Sequence, residues 1–114
     1  MKREIKFRAF YPEVKTFYKI AGWDFESEEV RIVNDTYDFW VDTDDVILMQ
    51  FTGLYDKNGK EIYEGDVIPI FGKNHAVKFN YGMFTINDRE MRRYIHSIPL
   101  EVIGNVYENP ELVK

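Results

Sequence analysis

Gln50 to Ile70 reads QFTGLYDKNGKEIYEGDVIPI, and its punctuation decides the fold. The Asn58-Gly59 pair readily supplies the two positive φ angles of a type I′ turn, which predicts an antiparallel hairpin turning on Lys57-Asn58-Gly59-Lys60. Leu54 and Tyr55 before the turn, and Ile62 and Tyr63 after it, give both arms apolar side chains. Gly65 allows a bend or bulge where the second arm becomes a new strand, and Pro69, lacking an N–H, implies an edge or bulged position within that strand. None of this specifies a reaction.

Upstream, Val46 to Phe51 is an almost unbroken apolar run, the pattern of a strand covered on both faces. Earlier still, Arg3 to Tyr11 alternates, with Ile5, Phe7 and Ala9 on one face and Glu4, Lys6 and Arg8 on the other. Pro12-Glu13 breaks that run. A second one follows, with Phe17, Ala21 and Trp23 on one side and Tyr18 and Ile20 on the other, completing a first hairpin. Lys2, Arg3, Lys6 and Arg8 read as an exposed face that discourages edge-to-edge pairing, in preference to a phosphate contact. Val30 to Val33 and Thr36 to Val41 are a third and fourth strand around an Asn34-Asp35 turn.

Downstream, Gly72-Lys73-Asn74 predicts a turn, His75 to Phe79 a strand, Asn80-Tyr81-Gly82 a turn and Met83 to Ile86 a strand. Asn87 to Ser97 is the one place where a helix competes, with Asn87 or Asp88 as its cap and Pro99 as its stop. Leu100 to Val106 returns as a final strand. The expected class is mainly β: antiparallel strands, a small SH3-like barrel in the C-terminal half and at most one short helix. A single domain over residues 1–114 is expected, with an N-terminal β part over about 1–49 and the hairpin and barrel over about 50–114.

Composition narrows function. Phe 9, Tyr 8 and Trp 2 bring aromatics to 17% of the 114 residues, which suits pleated, half-buried surfaces better than a ligand cage. A net charge of −5 argues against a simple phosphate-backbone binder, which needs clustered cations. The absence of cysteine removes disulfides, thiolate metal sites and Cys nucleophiles. Met1-Lys2-Arg3-Glu4 opens no apolar targeting segment and no run is long enough to span a bilayer, so a cytoplasmic protein with no membrane partner is expected.

Catalytic and metal chemistry find little to use. Asp42, Asp44 and Asp45 are the densest carboxylate group, but an EF-hand loop needs Gly at its sixth position and Glu at its twelfth. From Asp42 or Asp44 those positions hold Ile47 or Met49 and Gly53 or Tyr55. Asp56-Lys57-Asn58-Gly59 places its Gly too early, and both stretches read as turns. Asp24, Glu26, Glu28 and Glu29 lack the apolar shielding that separates two carboxyl pKa values. His75 and His96 are the only histidines, Ser97 beside His96 is no nucleophile and base pair, and no phosphate-binding loop occurs. No enzymatic activity, metal or cofactor is expected.

One compact grouping of cations with aromatic rings remains: Arg89, Arg92 and Arg93 beside Tyr94 and His96. Such side chains neutralise phosphates and stack a base. The reading preferred to that one is a solvated face that balances an acidic protein and meets the acidic loops of a neighbouring subunit.

Three stretches taken together, REIKFRA from Arg3 to Ala9, TGLYDKNGKEIYEGDVI from Thr52 to Ile68 and EVIGNVYENPEL from Glu101 to Leu112, resemble the YopX family of small phage and prophage proteins. The resemblance implies a β-rich cytoplasmic protein, homo-oligomers among its relatives, and no established activity or catalytic residue. The chain departs from the family at Pro69, where a polar residue is more usual, and over Met83 to Pro99. The expected function is a non-catalytic phage or prophage accessory protein that self-associates and binds a phage or host protein. The alternative is a small-barrel nucleic-acid-binding protein using Arg89, Arg92, Arg93 and Tyr94. A metal-dependent hydrolase at Asp42, Asp44 and Asp45 is a distant third.

Overall fold

A computed structural model describes residues 4–113. Lys2 and Arg3 of the basic N-terminal arm lie outside the described residues. The described residues form two compact units, 4–50 and 51–113, and the division falls inside one strand.

In the first unit, β1 (Phe7–Tyr11), β2 (Thr16–Asp24), β3 (Glu29–Val33), β4 (Asp38–Asp42) and the opening residues of β5 (Ile47–Tyr55) pair antiparallel in the order β4-β3-β2-β1-β5. Ala9, Tyr18, Val30, Ile32, Val41 and Val46 form its core, with Tyr11, Ile20, Trp23, Phe39 and Leu48 packed against them. Trp23 therefore sides with Tyr18 and Ile20, not with Phe17 and Ala21 as simple alternation has it. The cause is a shift in register between Ile20 and Gly22, which leaves Ala21 as an extra residue and turns every later side chain of β2 over. Gly22 accommodates this closely: a Cβ there would stand 3.3 Å from the Trp40 ring.

The second unit holds the rest of β5, then β6 (Glu61–Tyr63), β7 (Asp66–Ile70), β8 (Lys73–Ala76), β9 (Lys78–Asn80), β10 (Met83–Ile86), β11 (Arg89–Glu90), α1 (Arg92–Ile95) and β12 (Gly104–Asn105). Ile62, Ile68, Ile70, Val77, Ile86, Met91, Tyr94 and Leu100 are its core. Two three-stranded sheets form, β12-β7-β8 and β11-β10-β9. Among the described residues these pairings do not close into the SH3-like barrel expected from the sequence. The strand expected over His75 to Phe79 breaks at Val77, whose N–H donates to the Asp66 carbonyl and whose carbonyl accepts from Gly65, at 2.8 and 2.9 Å. The strand expected over Leu100 to Val106 shrinks to two residues. Pro69 pairs with Asn74 of β8, beyond the last β12 pairing at Val67, so its missing N–H interrupts no ladder there.

The hairpin at Asn58-Gly59 exists, but its turn is of another kind. Only Gly59 has a positive φ, 79°. Gly59 donates to the Asp56 carbonyl at 3.0 Å and Asp56 donates to the Lys60 carbonyl at 2.8 Å. This is a three-residue loop, a type I turn followed by a left-handed glycine that forms a bulge. The paired positive φ angles of type I′ turns occur instead at Phe71-Gly72 (48° and 83°), Tyr81-Gly82 (54° and 76°) and Asn87-Asp88 (54° and 59°). Asn87 and Asp88 thus turn β10 into β11 and do not cap a helix. The helix that follows is a single turn with no side-chain cap at Met91.

Candidate functional site

The polar residues of the ordered stretches are spent on backbone. Thr52 donates its hydroxyl to the Ile62 carbonyl at 2.7 Å and accepts from the Leu54 N–H at 3.1 Å, bracing the irregularity in β5 around Gly53. Asp56, only 7% exposed, accepts at one oxygen from the N–H groups of Asn58 and Lys60, and at the other from Val102 at 3.0 Å. Burial works to raise its pKa, but the three backbone N–H bonds and the nearby Lys60 charge outweigh it, and the carboxyl lies below its ordinary value. Asp66 accepts from the Tyr63 N–H at 2.8 Å, across the bend at Gly65. Asn105 accepts from Tyr107 and Glu108 N–H groups through its side-chain oxygen, while its own N–H donates to the Asn109 side chain. Gly104 must remain bare, because a Cβ would lie 2.6 Å from Asn109 Oδ1 and 2.8 Å from a Leu112 methyl.

These same bonds join the two motif stretches. Lys57 N–H donates to the Leu100 carbonyl at 2.8 Å, its ammonium lies 3.6 Å from Glu101, and β12 pairs with β7 at Gly104↔Val67 and Asn105↔Asp66. The order visible in the sequence is therefore the order of a scaffold.

Arg89, Arg92, Arg93 and His96 all stand in solvent, on β11 and around α1. Arg92 approaches Glu90 at 4.0 Å, a contact worth little at such exposure. Tyr94 does not share their surface: it is 8% exposed and packs in the core of its unit. The three arginine charges of the grouping and His96 are therefore exposed, and the Tyr94 ring is not available as a stacking platform.

The rings that do reach solvent sit elsewhere in this unit. Phe71 is 81% exposed and Tyr81 is 97% exposed, each at the first position of a type I′ turn. Phe79, half exposed, packs edge-on against Phe84 with centroids 4.9 Å apart. The sequence flagged both turns through their glycines, and the rings beside them were not singled out. The signal was there: an aromatic residue immediately before a turn glycine between two short strands.

In the first unit, Phe25 is exposed and stacks on Trp23 with centroids 5.1 Å apart. Acidic loops lie at the same end of this sheet. Glu29 pairs directly with Asp42, and Thr43 N–H donates to the Glu28 carbonyl at 2.9 Å. Asp42 caps the turn at Thr43–Asp45, accepting from the Asp44 N–H at 2.8 Å. Among the described residues, no group of three or more His, Asp or Glu side chains is placed to hold a metal ion, and no helix is long and apolar enough to cross a membrane. Arg31 grips Asp38 with two hydrogen bonds, which hold that exposed carboxyl below its usual range.

The family model described as YopX protein matches residues 6–114. No curated protein matches the chain. The crystal structure of protein EF1440 from Enterococcus faecalis aligns over 99% of this chain and 100% of that one, with a TM-score of 0.74 at 24% sequence identity. A likeness at that identity extends to the fold alone.

Proposed function

The chain belongs to the YopX family, and from that premise we propose a non-catalytic phage or prophage accessory protein that self-associates and binds a protein partner through its exposed rings. The observation that carries this reading is the pair Phe71 and Tyr81, held at φ 48° and 54° with their rings in water. A left-handed backbone costs an ordinary side chain about 1–2 kcal/mol, which Asn or Gly largely avoids. The fold gains no buried ring in return, whereas a partner does, since aromatic anchors dominate interface energies.

Charge supports contact between copies. The first unit carries the acidic loops, with Asp24, Glu26, Glu28, Glu29, Asp42, Asp44 and Asp45, while Arg89, Arg92 and Arg93 stand exposed in the second. Opposite patches on identical chains favour contact between copies. Light scattering after size exclusion tests this: an assembly that loosens with salt is expected, and a strict monomer at every ionic strength would refute it.

The exposure of those three arginines also keeps a nucleic-acid-binding reading in play, though without Tyr94 as its stacking ring. Fluorescence anisotropy at low salt decides it, and reversing Arg92 and Arg93 in charge should abolish any binding seen.

A further inference from the structure

A cleft of about 210 Å³ in the second unit is lined by His75, Ala76, Lys78, Thr85, Asn87 and Asp88. The chain brings these residues from three strands and one tight turn. Thr85 is 6% exposed, and its hydroxyl oxygen accepts from Asn80 Nδ2 at 3.3 Å, which leaves its proton to donate. Among the described residues, no hydrogen bond or ion pair engages the side chains of His75, Lys78 or Asp88. Lys78 and Asp88 thus share a cleft of opposite charges without pairing.

Unpaired donors around a buried hydroxyl suit an anion, and an acceptor beside them suits a hydroxyl on the same molecule. The volume is below the roughly 300–1,000 Å³ of drug-sized pockets, which favours a small ligand. We propose that this cleft binds a free phosphorylated sugar, its phosphate held by Lys78, His75 and the Thr85 hydroxyl and a sugar hydroxyl donating to Asp88. The site is separate from the ring-bearing tips and stands or falls apart from them.

The full chain, labelled with ¹⁵N, is titrated by NMR with ribose 5-phosphate, adenosine monophosphate, ribose, and a single-stranded oligonucleotide without terminal phosphate. Both phosphorylated probes should move the amides of Lys78, Thr85 and Asp88 and saturate, while ribose should not. Lys78→Ala, at an exposed position, should weaken binding about tenfold or more. Thr85→Val should do the same, while Thr85→Ser, which keeps the hydroxyl, should stay within about threefold of the parent. The dispersion of each variant's spectrum separates loss of ligand from loss of fold. No saturable shift at these amides, an affinity unchanged in Lys78→Ala, or binding of the oligonucleotide alone would each overturn the proposal.

Discussion

The Asp56 carboxylate serves two backbone N–H groups in its own loop and one, that of Val102, 46 residues further along the chain. Removing it strands three donors, one of them the link that fastens the hairpin to the C-terminal stretch. Asp56→Ala is therefore expected to lose about 2–4 kcal/mol in urea unfolding, since bonds to a charged group contribute more than neutral ones. Its pKa adds a pH signature. The folded value lies below the unfolded one, so the unfolded chain binds more protons between the two. The carboxylate's contribution is fully present above its unfolded pKa near 3.9 and is lost as pH falls through the lower folded value. Unfolding curves taken between about pH 5 and 2 should show a steeper decline for the parent than for Asp56→Asn, and parallel curves would contradict it. None of this was legible in the sequence. Asp56 there is an ordinary turn former, and its partner appears only when residues far apart in the chain come into register. Tyr94 failed for a related reason: a one-turn helix has no periodicity from which a buried face can be read.

At the scale of elements, the N-terminal strands and the positions of most turns were read well, while the strands expected over His75 to Phe79 and Leu100 to Val106 broke or shrank and the Asn58-Gly59 turn proved to be of another type. Alternation located β1 through β4, because a period of two survives in any half-buried strand. It does not by itself give the extra residue at Ala21, which only the adjacent Gly22 marks, as a glycine within a strand often marks a bulge. The Asn58-Gly59 pair was assigned the wrong turn because the dipeptide fits both a type I′ turn and a type I turn with a glycine bulge. The choice was made by Asp56, which draws the Asn58 and Lys60 N–H groups to one oxygen. The two turns differ in what mutation does. With Asn58 at negative φ, Asn58→Ala should cost under about 0.5 kcal/mol, while Gly59→Ala should cost about 1 kcal/mol. Similar losses from both substitutions would point back to type I′. The cleft residues were missed for a plainer reason: His75, Lys78, Thr85, Asn87 and Asp88 follow no ligand spacing and meet only through the hairpin geometry.

At the scale of the whole molecule, the chain separates what holds it together from what it shows to others. Thr52, Asp56, Asp66 and Asn105 are turned toward backbone, and the stretches that carry the family likeness are the ones they brace. Phe71 and Tyr81 lie outside the stretches that brace it, on turns whose backbone would be easier with other residues. This placement makes stability and association separable. Phe71→Asn and Tyr81→Asn create Asn-Gly type I′ turns, the pairing best suited to that geometry. The double variant should therefore be at least as stable as the parent, and more stable by up to about 1–2 kcal/mol. The direct measurement is light scattering of parent and double variant at matched concentrations, with urea unfolding of both. A variant that is equally or more stable but dissociated is the expected result. Unchanged assembly in the variant, or a loss of stability that accompanies its dissociation, would contradict the claim that these rings are kept for a partner.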